Sequence, residues 1–555
     1  MPQSLKIVPL GGLGEIGKNM MVLELPDDMI IVDAGLMFPD AEMLGIDLVI
    51  PDVTYVEDRI EKLRGILITH GHEDHTGGLP YVLPRLRLKN GKLPPVYCTQ
   101  LTHGLISVKL KEHKLTKSAD LRMVKAGDRV KLGQFSAEFV HMTHSIPDST
   151  ALAIETPLGT VFHTGDFKFD HTPVMGAPPD LQRIAEIGKK GILLLCSDST
   201  YADTAGYTPS ELKVSGTLDS VMAHAPGRVI VATFASLISR VQQIIDAASN
   251  NNRRVFVTGR SMMSNVKMAI EQDYLDAPSN IMASLEKMRN LPPEQITIIT
   301  TGAQGEPTSA LVRMANQDHR HIEIERGDTV VLSSSAIPGN EMLINRTIDN
   351  LYRLGANVLF SRIADVHVHG HAAQEELKLM LSLTQPTYFV PVHGEYRHLW
   401  MHSQIARSMN IPDDQVFTME DGDILEITKR SAKVVGRTSA DYVYVDGLAV
   451  GVDRVVLRDR QHLSEDGVIV AIVAVDKQSG QPVGHPDVIS RGFIEGEMLD
   501  ELMERAGDVV VQALTESGDS ADRSDFSSRV HDALSRFLYN ETRLRPLILP
   551  VRMEV

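Results

Sequence analysis

Four side chains that suit metal binding stand within six residues of one another. His70, His72, Asp74 and His75 follow the short apolar run 66–68, which has the pattern of a buried strand. Imidazoles and carboxylates without partners are costly to bury, so this cluster is poor core material. Neutral imidazole and carboxylate are ligands for zinc and neighbouring divalent metals. On an extended segment His70 and His72 point to one side and could share an ion, which leaves Asp74 and His75 for a second ion.

Further candidate ligands occur elsewhere, each next to a strand-like run. His144 follows the run 135–142, Asp166 closes the run 161–166, and His393 ends the apolar run 388–392. Open α/β sheets collect their ligands beyond the carboxyl ends of the strands. The spacing therefore predicts that distant parts of the chain complete the metal sites.

These residues are positioned by a chain that we predict to fold into several domains. At 555 residues the chain is too long for a single ordinary hydrophobic core. Short strands alternate with turns over residues 5–170, whereas strands alternate with helices over 210–363, as in a parallel sheet covered by helices. The second region must be inserted, since His393 lies beyond it. We predict a first domain of residues 1–209 and 364–440, an inserted domain of 210–363, a linker of short strands at 441–465, and a third α/β domain of 466–555.

Composition and charge narrow the function classes. Hydrophobic residues make up 43% of the chain and charged residues 23%, which is typical of a globular protein. Cys98 and Cys196 stand in apolar settings, which favours buried thiols in a reducing compartment. There is no secretion-signal pattern and no apolar run of membrane-spanning length, so we expect a cytoplasmic protein without membrane contact.

The charge distribution is uneven. The net charge of −17 argues against a nucleic-acid partner, but net charge constrains solubility more than it constrains a site. Between residues 85 and 131 the chain carries twelve Lys and Arg against three acidic residues, and such a local basic face could follow a phosphate backbone.

A glycine-rich stretch near the N-terminus matches a dinucleotide-binding pattern. Gly12, Gly14 and Gly17 have the spacing Gly-x-Gly-x-x-Gly. Residues 19–25 continue as a strand, not as the helix that this pattern requires. We therefore interpret the stretch as a turn between two strands.

The order of the metal-binding motifs resembles that of the metallo-β-lactamase fold. Asp33, in Ile30-Ile-Val-Asp-Ala-Gly35, looks like the first motif of that fold, and residues 70–75, His144 and Asp166 look like the next three. By this resemblance Asp33 would hold a metal ligand through a hydrogen bond. The implied ligands are His70, His72 and His144 for one ion, Asp74, His75 and His393 for the other, and Asp166 as the bridge.

Three further residues resemble the β-CASP branch of this fold, whose members cut nucleic acids. They are Asp198 after the apolar run 192–195, His371 in His367-Val-His-Gly-His371, and His393. Stretches such as Pro9-Leu-Gly-Gly-Leu-Gly-Glu-Ile-Gly-Lys-Asn19 and Ser333-Ser-Ser-Ala-Ile-Pro-Gly-Asn-Glu341 are similar to ribonuclease J, as is the closing segment 545–555. The implied fold class is α/β: a metallo-β-lactamase αββα sandwich with an inserted β-CASP parallel-sheet domain and a small α/β C-terminal domain.

The ribonuclease J resemblance implies a metal-dependent ribonuclease with endonuclease and 5′→3′ exonuclease activity, in mRNA decay and in the maturation of rRNA and other RNA. The implied cofactors are two divalent ions, zinc first, with manganese or magnesium as alternatives. Asp74 would orient or deprotonate the attacking water, and His371, held by Asp198, would protonate the leaving 3′-oxygen. The implied partners are single-stranded RNA with a 5′-monophosphate, further copies of the chain in a homodimer or homotetramer, and proteins of RNA-decay assemblies.

The resemblance also implies a pocket for the 5′-phosphate. The family usually carries a polar residue at 237, His at 239 and Ser at 369, where this chain has Leu237, Ser239 and His369, so we expect altered sensing of the 5′ end. Some family members hold a structural calcium ion, which would fall here to Leu44, Ile46 and Asp446. The predicted pocket residues are Ala235, Ser236, Leu237, Ser334, Ser335, His367, Val368, His369, Gly370 and His371, with Arg260 as a further donor.

Three alternatives fit part of the sequence. The metal motifs alone suit a small-molecule metallohydrolase, such as a thioesterase or lactonase, but a small substrate needs no inserted domain. A DNA nuclease of the β-CASP branch stays open, because the residues that would recognise the RNA 2′-hydroxyl are not evident. A non-enzymatic RNA-binding subunit is disfavoured, since the ligand set is complete.

Overall fold

The computed structural model describes residues 4–40, 42–278, 280–337, 339–447, 449–477, 481–494, 498–515 and 523–555. The chain forms two compact units. The first spans Met1–Phe38 and Leu48–Val443, and the second spans Pro39–Asp47 and Tyr444–Val555. Within the described residues, no helix is both long enough and apolar enough to cross a membrane.

Two large sheets form the part of the first unit that carries the predicted ligands. A short parallel pair, Leu13–Gly14 with Gly394–Glu395, lies beside them. The eight-stranded sheet has the spatial order Ala432–Arg437, Asp423–Ile427, Leu5–Gly11, Met20–Glu24, Met29–Val32, Leu63–Leu67, Pro95–Cys98 and Asp120–Met123. The six-stranded sheet has the order Tyr388–Val392, Ile192–Asp198, Gly159–His163, Thr150–Thr156, Phe135–His141 and Arg129–Leu132.

The main hydrophobic core lies between these two sheets. Ile7 and Leu23 from the first sheet pack in one cluster with Phe139, Leu152 and Leu194 from the second. Alternate residues of the same strands, such as Val8 and Val22, join a separate cluster on the outer face. Both faces of the sheet are buried, as expected where helices cover a sheet, so the predicted sandwich is confirmed.

The inserted region contains a third, wholly parallel sheet. Its order is Arg254–Val257, Ile296–Thr300, Val229–Ala232, Thr329–Leu332 and Asn357–Leu359. The helices predicted from sequence follow its strands at Ile238–Asn250, Arg260–Glu271, Ala310–Ala315 and Glu341–Arg353. The predicted β-CASP architecture is therefore confirmed.

The remaining helices and short strands of the first unit connect and cover the sheets. The strand Leu48–Pro51 lies in a turn-rich segment. The helices are Thr54–Glu57, Glu73–Thr76, Leu79–Arg85, Gln100–Glu112, Leu181–Lys189, Leu212–His224, Leu285–Met288, Gln374–Thr384 and Tyr396–Ser408, with 3-10 turns at Ile60–Lys62, Pro293–Gln295 and Asp413–Gln415.

The second unit is built around the strands Asp487–Arg491, Val468–Val475 and Leu547–Glu554. Its two helices are Met498–Thr515 and Arg523–Thr542, where the sequence predicts helices at 498–516 and 525–539. The sequence also predicts a polar break at 518–522, which lies outside the described residues. Ile469, Val473 and Val530 belong to its core. These elements make up the predicted α/β C-terminal domain.

One expectation about the connection between domains is wrong. The predicted linker of short strands contains the strands Tyr442–Asp446 and Ala449–Val450, but it ends in a helix, Arg454–Glu465. Asp453 caps this helix by accepting a hydrogen bond from the backbone N–H of Val455. Most of its residues are polar and none of them is buried, so its hydrophobic content did not mark it as a helix.

Candidate metal centre and active site

The candidate ligands gather at one edge of the two sheets, where several strands end. Asp198 is the last residue of its strand and pairs with Val392, directly before His393. Asp166 lies just beyond the strand Gly159–His163, which runs parallel to the strand of Asp198. Since the carboxyl ends of parallel strands meet at the same edge, residues far apart in sequence come together here.

The first group of ligand atoms is made of three imidazoles. Nδ1 of His72 lies 3.1 Å from Nε2 of His70 and 3.2 Å from Nε2 of His144. All three candidate ligand atoms lie within 4.8 Å of one another. Three ring nitrogens facing one point fit a divalent cation of the zinc type.

The second group contains Asp74, His75, Asp166 and His393, again with ligand atoms within 4.8 Å of one another. Nε2 of His393 is buried and has no hydrogen-bond partner among the described residues. It lies 3.4 Å from the Asp74 carboxylate, and Nε2 of His75 lies 3.2 Å from Asp166. A metal ligand needs a nitrogen lone pair that no hydrogen bond occupies. This second group therefore also fits a cation.

Asp166 faces both groups with the same oxygen. Its Oδ2 lies 3.7 Å from Nε2 of His70 and 3.7 Å from Nε2 of His144, in addition to its contact with His75. The bridging role that we predicted for Asp166 is compatible with this position.

The residues outside the ligand sets hold the rings in place. Asp33 accepts hydrogen bonds from Nδ1 of His75 at 2.8 Å and from the Thr69 backbone N–H at 2.8 Å. The carbonyl of Gly370 accepts a hydrogen bond from Nδ1 of His144 at 2.6 Å. Such bonds orient a ring so that its other nitrogen faces the metal. The side chain of Asn19, which the sequence did not single out, donates to the Asp74 carbonyl at 3.1 Å.

Protonation states differ between the two groups. Burial lowers the pKa of His70 and His144 well below the usual histidine range and that of His72 to about 4, so these rings are neutral at pH 7, as imidazole ligands of a metal must be. Burial also opposes the charging of His75 and His393, but the nearby carboxylates, Asp166 first, raise the pKa of His75 well above its ordinary value and that of His393 to about 10. At pH 7 these two imidazoles therefore carry protons that balance the carboxylates, and a bound cation would take the place of these protons.

A third group joins Asp198 and His371 to the centre. Nδ1 of His371 donates to the Asp198 carboxylate at 2.9 Å, and the His371 ring packs edge-on against His144 with 4.9 Å between ring centroids. Burial lowers the pKa of His371, but Asp198 outweighs it and raises the pKa above the ordinary value. His371 can therefore hold a proton beside both metal groups, as a general acid must.

The predicted phosphate pocket is only partly open. The Leu237 side chain is buried in the core, and Ser239 donates its hydroxyl hydrogen to the Ser145 carbonyl at 3.0 Å. Ser334 donates to the Ala303 carbonyl at 3.1 Å, whereas the Ala235 carbonyl accepts from Asn265. Ser236 and Ser335 are only partly buried, and Arg260 is exposed at the start of its helix.

Arg240 lies next to the predicted phosphate pocket, and we predicted no role for it from the sequence. Its guanidinium is fully buried and donates to the Val366 carbonyl at 2.8 Å and to the Glu211 carboxylate at 2.6 Å. It therefore fixes the segment that leads into His367, Val368 and His369. A buried arginine has no signature in a single sequence, because its partners lie far along the chain.

The predicted calcium position is filled by a side chain of the protein. The guanidinium of Arg460 donates to the Leu44 and Gly45 carbonyls at 3.1 Å each and to the Asp446 carboxylate at 2.5 Å. Ile46 contributes its backbone N–H to the Met43 carbonyl. The guanidinium of Arg460 already occupies and neutralises these oxygen acceptors. They are therefore not available to bind a calcium ion.

Four family models match successive parts of the chain. "Metallo-beta-lactamase superfamily" matches residues 13–208, and "Ribonuclease J, beta-CASP domain" matches 226–351. "Zn-dependent metallo-hydrolase RNA specificity domain" matches 358–410, and "Ribonuclease J C-terminal domain" matches 455–555.

Whole proteins match over nearly the full chain. Ribonuclease J2 of Bacillus subtilis (strain 168) is 41% identical over 556 residues, which cover 100% of this chain and 99% of that protein. Ribonuclease J of Thermus thermophilus is 42% identical and covers 99% of this chain and 95% of that protein. These matches support the ribonuclease interpretation over the DNA-nuclease and small-molecule alternatives.

A solved structure shares the fold alone. A protein of unknown function from Enterococcus faecalis V583 aligns with a TM-score of 0.52 at 14% identity, covering 76% of this chain and 100% of that chain.

Proposed function

The chain belongs to the ribonuclease J family, and from that premise we propose that it cleaves RNA phosphodiester bonds, internally and from the 5′ end. The observation that carries the proposal is the position of Asp166, which faces both candidate metal groups while His371 and Asp198 stand beside them. Two adjacent cation sites with an acid at their edge are the arrangement used for in-line displacement at phosphorus.

The metal ligands and the pair formed by His371 and Asp198 have separate roles in the proposed reaction. Bound divalent ions would supply a water molecule of lowered pKa and neutralise charge on the phosphoryl oxygens. Although burial opposes it, His75 and His393 hold the pKa of Asp74 below its usual range, so its carboxylate stays ionised and can orient the water. Nδ1 of His371 is engaged by Asp198, which leaves Nε2–H to protonate the leaving 3′-oxygen.

We assign zinc as the metal, with manganese or magnesium as alternatives. The first group offers only imidazole nitrogen, which zinc accepts readily and magnesium accepts poorly. The mixed imidazole and carboxylate set of the second group suits zinc or manganese. Metal analysis of the purified protein by mass spectrometry would distinguish these ions.

We further propose a weakened preference for a 5′-monophosphate. Leu237 is buried, and Ser239 is bonded to the backbone of Ser145 instead of facing a ligand. Ser236, Ser335 and Arg260 remain as donors for a terminal phosphate. Fewer charged donors would leave internal cleavage as the larger share of the activity.

Location and assembly complete the proposal. Two free, buried cysteines suit a reducing compartment, and we propose a cytoplasmic enzyme of mRNA decay and RNA maturation. We propose a homodimer or homotetramer that joins proteins of RNA-decay assemblies. Light scattering of the purified protein would test the assembly state.

Cleavage of one RNA with three different 5′ ends tests the activity. A labelled RNA carrying a monophosphate, a triphosphate or a hydroxyl end is incubated with the metal-loaded protein, beside single-stranded DNA of the same sequence and a generic ester. His72→Ala should abolish RNA cleavage, whereas His531→Ala, which changes an exposed histidine, should not. Cleavage of DNA or ester in preference to RNA would refute the proposal.

A further inference from the structure

Two aromatic rings stand next to the proposed general acid. Tyr201 stacks face to face on His369, with 3.6 Å between ring centroids and 9° between ring planes. The same Tyr201 ring is nearly parallel to His371, at 5.8 Å and 12°. One tyrosine therefore lies against two imidazoles, and one of these belongs to the catalytic group.

The rings come from the two short segments that also supply the acid and its carboxylate. Tyr201 follows Asp198 by three residues, and His369 precedes His371 by two. Both segments are firmly held. The Thr208 hydroxyl donates to the His371 carbonyl at 2.7 Å, and the side chain of Gln374 donates to the Ala202 carbonyl at 2.9 Å. The stack is therefore part of a fixed frame.

A hydrogen bond alone does not define the orientation of an imidazole. The bond from Nδ1 of His371 to Asp198 fixes one atom of the ring, but the ring can still turn about that contact. A parallel aromatic surface removes this freedom, because stacked rings prefer a narrow set of plane angles. Burial keeps His369 neutral, with a pKa of about 4, so the stack does not place a second charge beside His371.

We propose that Tyr201 and His369 are positioning residues that fix the ring plane of His371 and thereby aim its Nε2 at the leaving oxygen. This inference rests on the proposed function of the site. It also gives His369 a role other than phosphate binding, since one face of its ring is covered by Tyr201.

Paired substitutions separate stacking from other roles. Tyr201→Phe and His369→Phe keep a ring at each position, whereas Tyr201→Leu and His369→Ala remove it. We expect the ring-removing variants to lower kcat about fivefold to tenfold with KM unchanged, because the acid is misaimed but RNA still binds. The ring-retaining variants should keep kcat within about twofold. Metal content should be equal in all four variants.

A second measurement does not depend on RNA cleavage. In protein labelled with ¹³C at histidine Cε1, the His371 signal is assigned with a His371→Gln variant. Ring currents from Tyr201 act on this signal, so it should move in Tyr201→Leu and stay in place in Tyr201→Phe. This readout tests the stack even if the wild-type protein cleaves no RNA, an outcome that would overturn the proposed function alone.

Any of three results would overturn the inference. The first is a kcat within about twofold of wild type in both ring-removing variants. The second is a His371 signal that moves equally in Tyr201→Leu and Tyr201→Phe. The third is a raised KM for 5′-monophosphate RNA in His369→Ala with kcat unchanged, which would assign His369 to phosphate binding.

Discussion

Replacing Gly370 by alanine should disturb the metal centre through a single methyl group. A Cβ at this position would lie 2.5 Å from Nδ1 and Cε1 of His144 and 2.7 Å from the backbone N of Ser145. The neighbouring atoms would have to retreat by about 1 Å to reach ordinary van der Waals contact. The same residue accepts the hydrogen bond that orients His144, so the displaced ring also loses its support.

The expected loss is large because His144 completes the three-imidazole group. Disturbing a partner that orients a metal ligand typically costs about 10- to 100-fold in metal affinity, and a displacement of about 1 Å at a reacting centre can cost about 100-fold in rate. We therefore expect Gly370→Ala to lower kcat/KM on RNA by about 100-fold and to leave the first metal group partly empty.

Gly216→Ala is the matched control. Gly216 lies inside the helix Leu212–His224, and a Cβ there would meet no atom within 4 Å apart from its chain neighbours and the backbone of its own helix. Alanine in a helix interior should raise the free energy of unfolding by about 0.5–1 kcal/mol without changing activity. Metal analysis, RNA cleavage and thermal unfolding are measured on both variants. A Gly370→Ala protein with full metal content and activity within about threefold of wild type would refute the reasoning.

Three further predictions concern charge. Asp198 raises the pKa of His371, which acts in its protonated form, so Asp198→Asn should move the alkaline limb of the kcat–pH profile to lower pH; an unmoved limb would contradict this. Arg183 holds the pKa of Glu138 below its ordinary value. The ionised Glu138 carboxylate therefore stabilises the fold at pH values above its pKa in the unfolded chain, and this stabilisation is lost as the pH falls through its lowered pKa in the folded protein. Urea unfolding of Glu138→Gln should therefore vary less between about pH 5 and pH 3 than that of wild type, and equal slopes would count against it. Because Arg460 fills the predicted calcium position, calcium and EGTA should not shift the thermal midpoint of wild type, whereas Arg460→Ala should lose about 1 kcal/mol of stability.

Local patterns in the sequence predicted several of the strands and helices. The strand Ile296–Thr300 begins and ends where the apolar run does, and the helix Glu341–Arg353 follows its periodic hydrophobic residues. The helix Arg454–Glu465 was missed, and it differs from the predicted helices in its largely polar composition and in having no buried residue. A helix with few hydrophobic residues gives only a weak signal in a single sequence.

The sequence by itself determined which residue types could bind metal, since His70, His72, Asp74 and His75 are tied by short covalent spacing and need little folding to meet. Only the tertiary structure decided that one oxygen of Asp166 faces both groups, that the Gly370 carbonyl orients His144, that Tyr201 stacks on His369, and that Arg460 lies against Asp446. These contacts join segments that are distant in sequence, and some use backbone atoms that every residue possesses. Residue type and spacing therefore carry no trace of them, and the packing of the sheets brings them about.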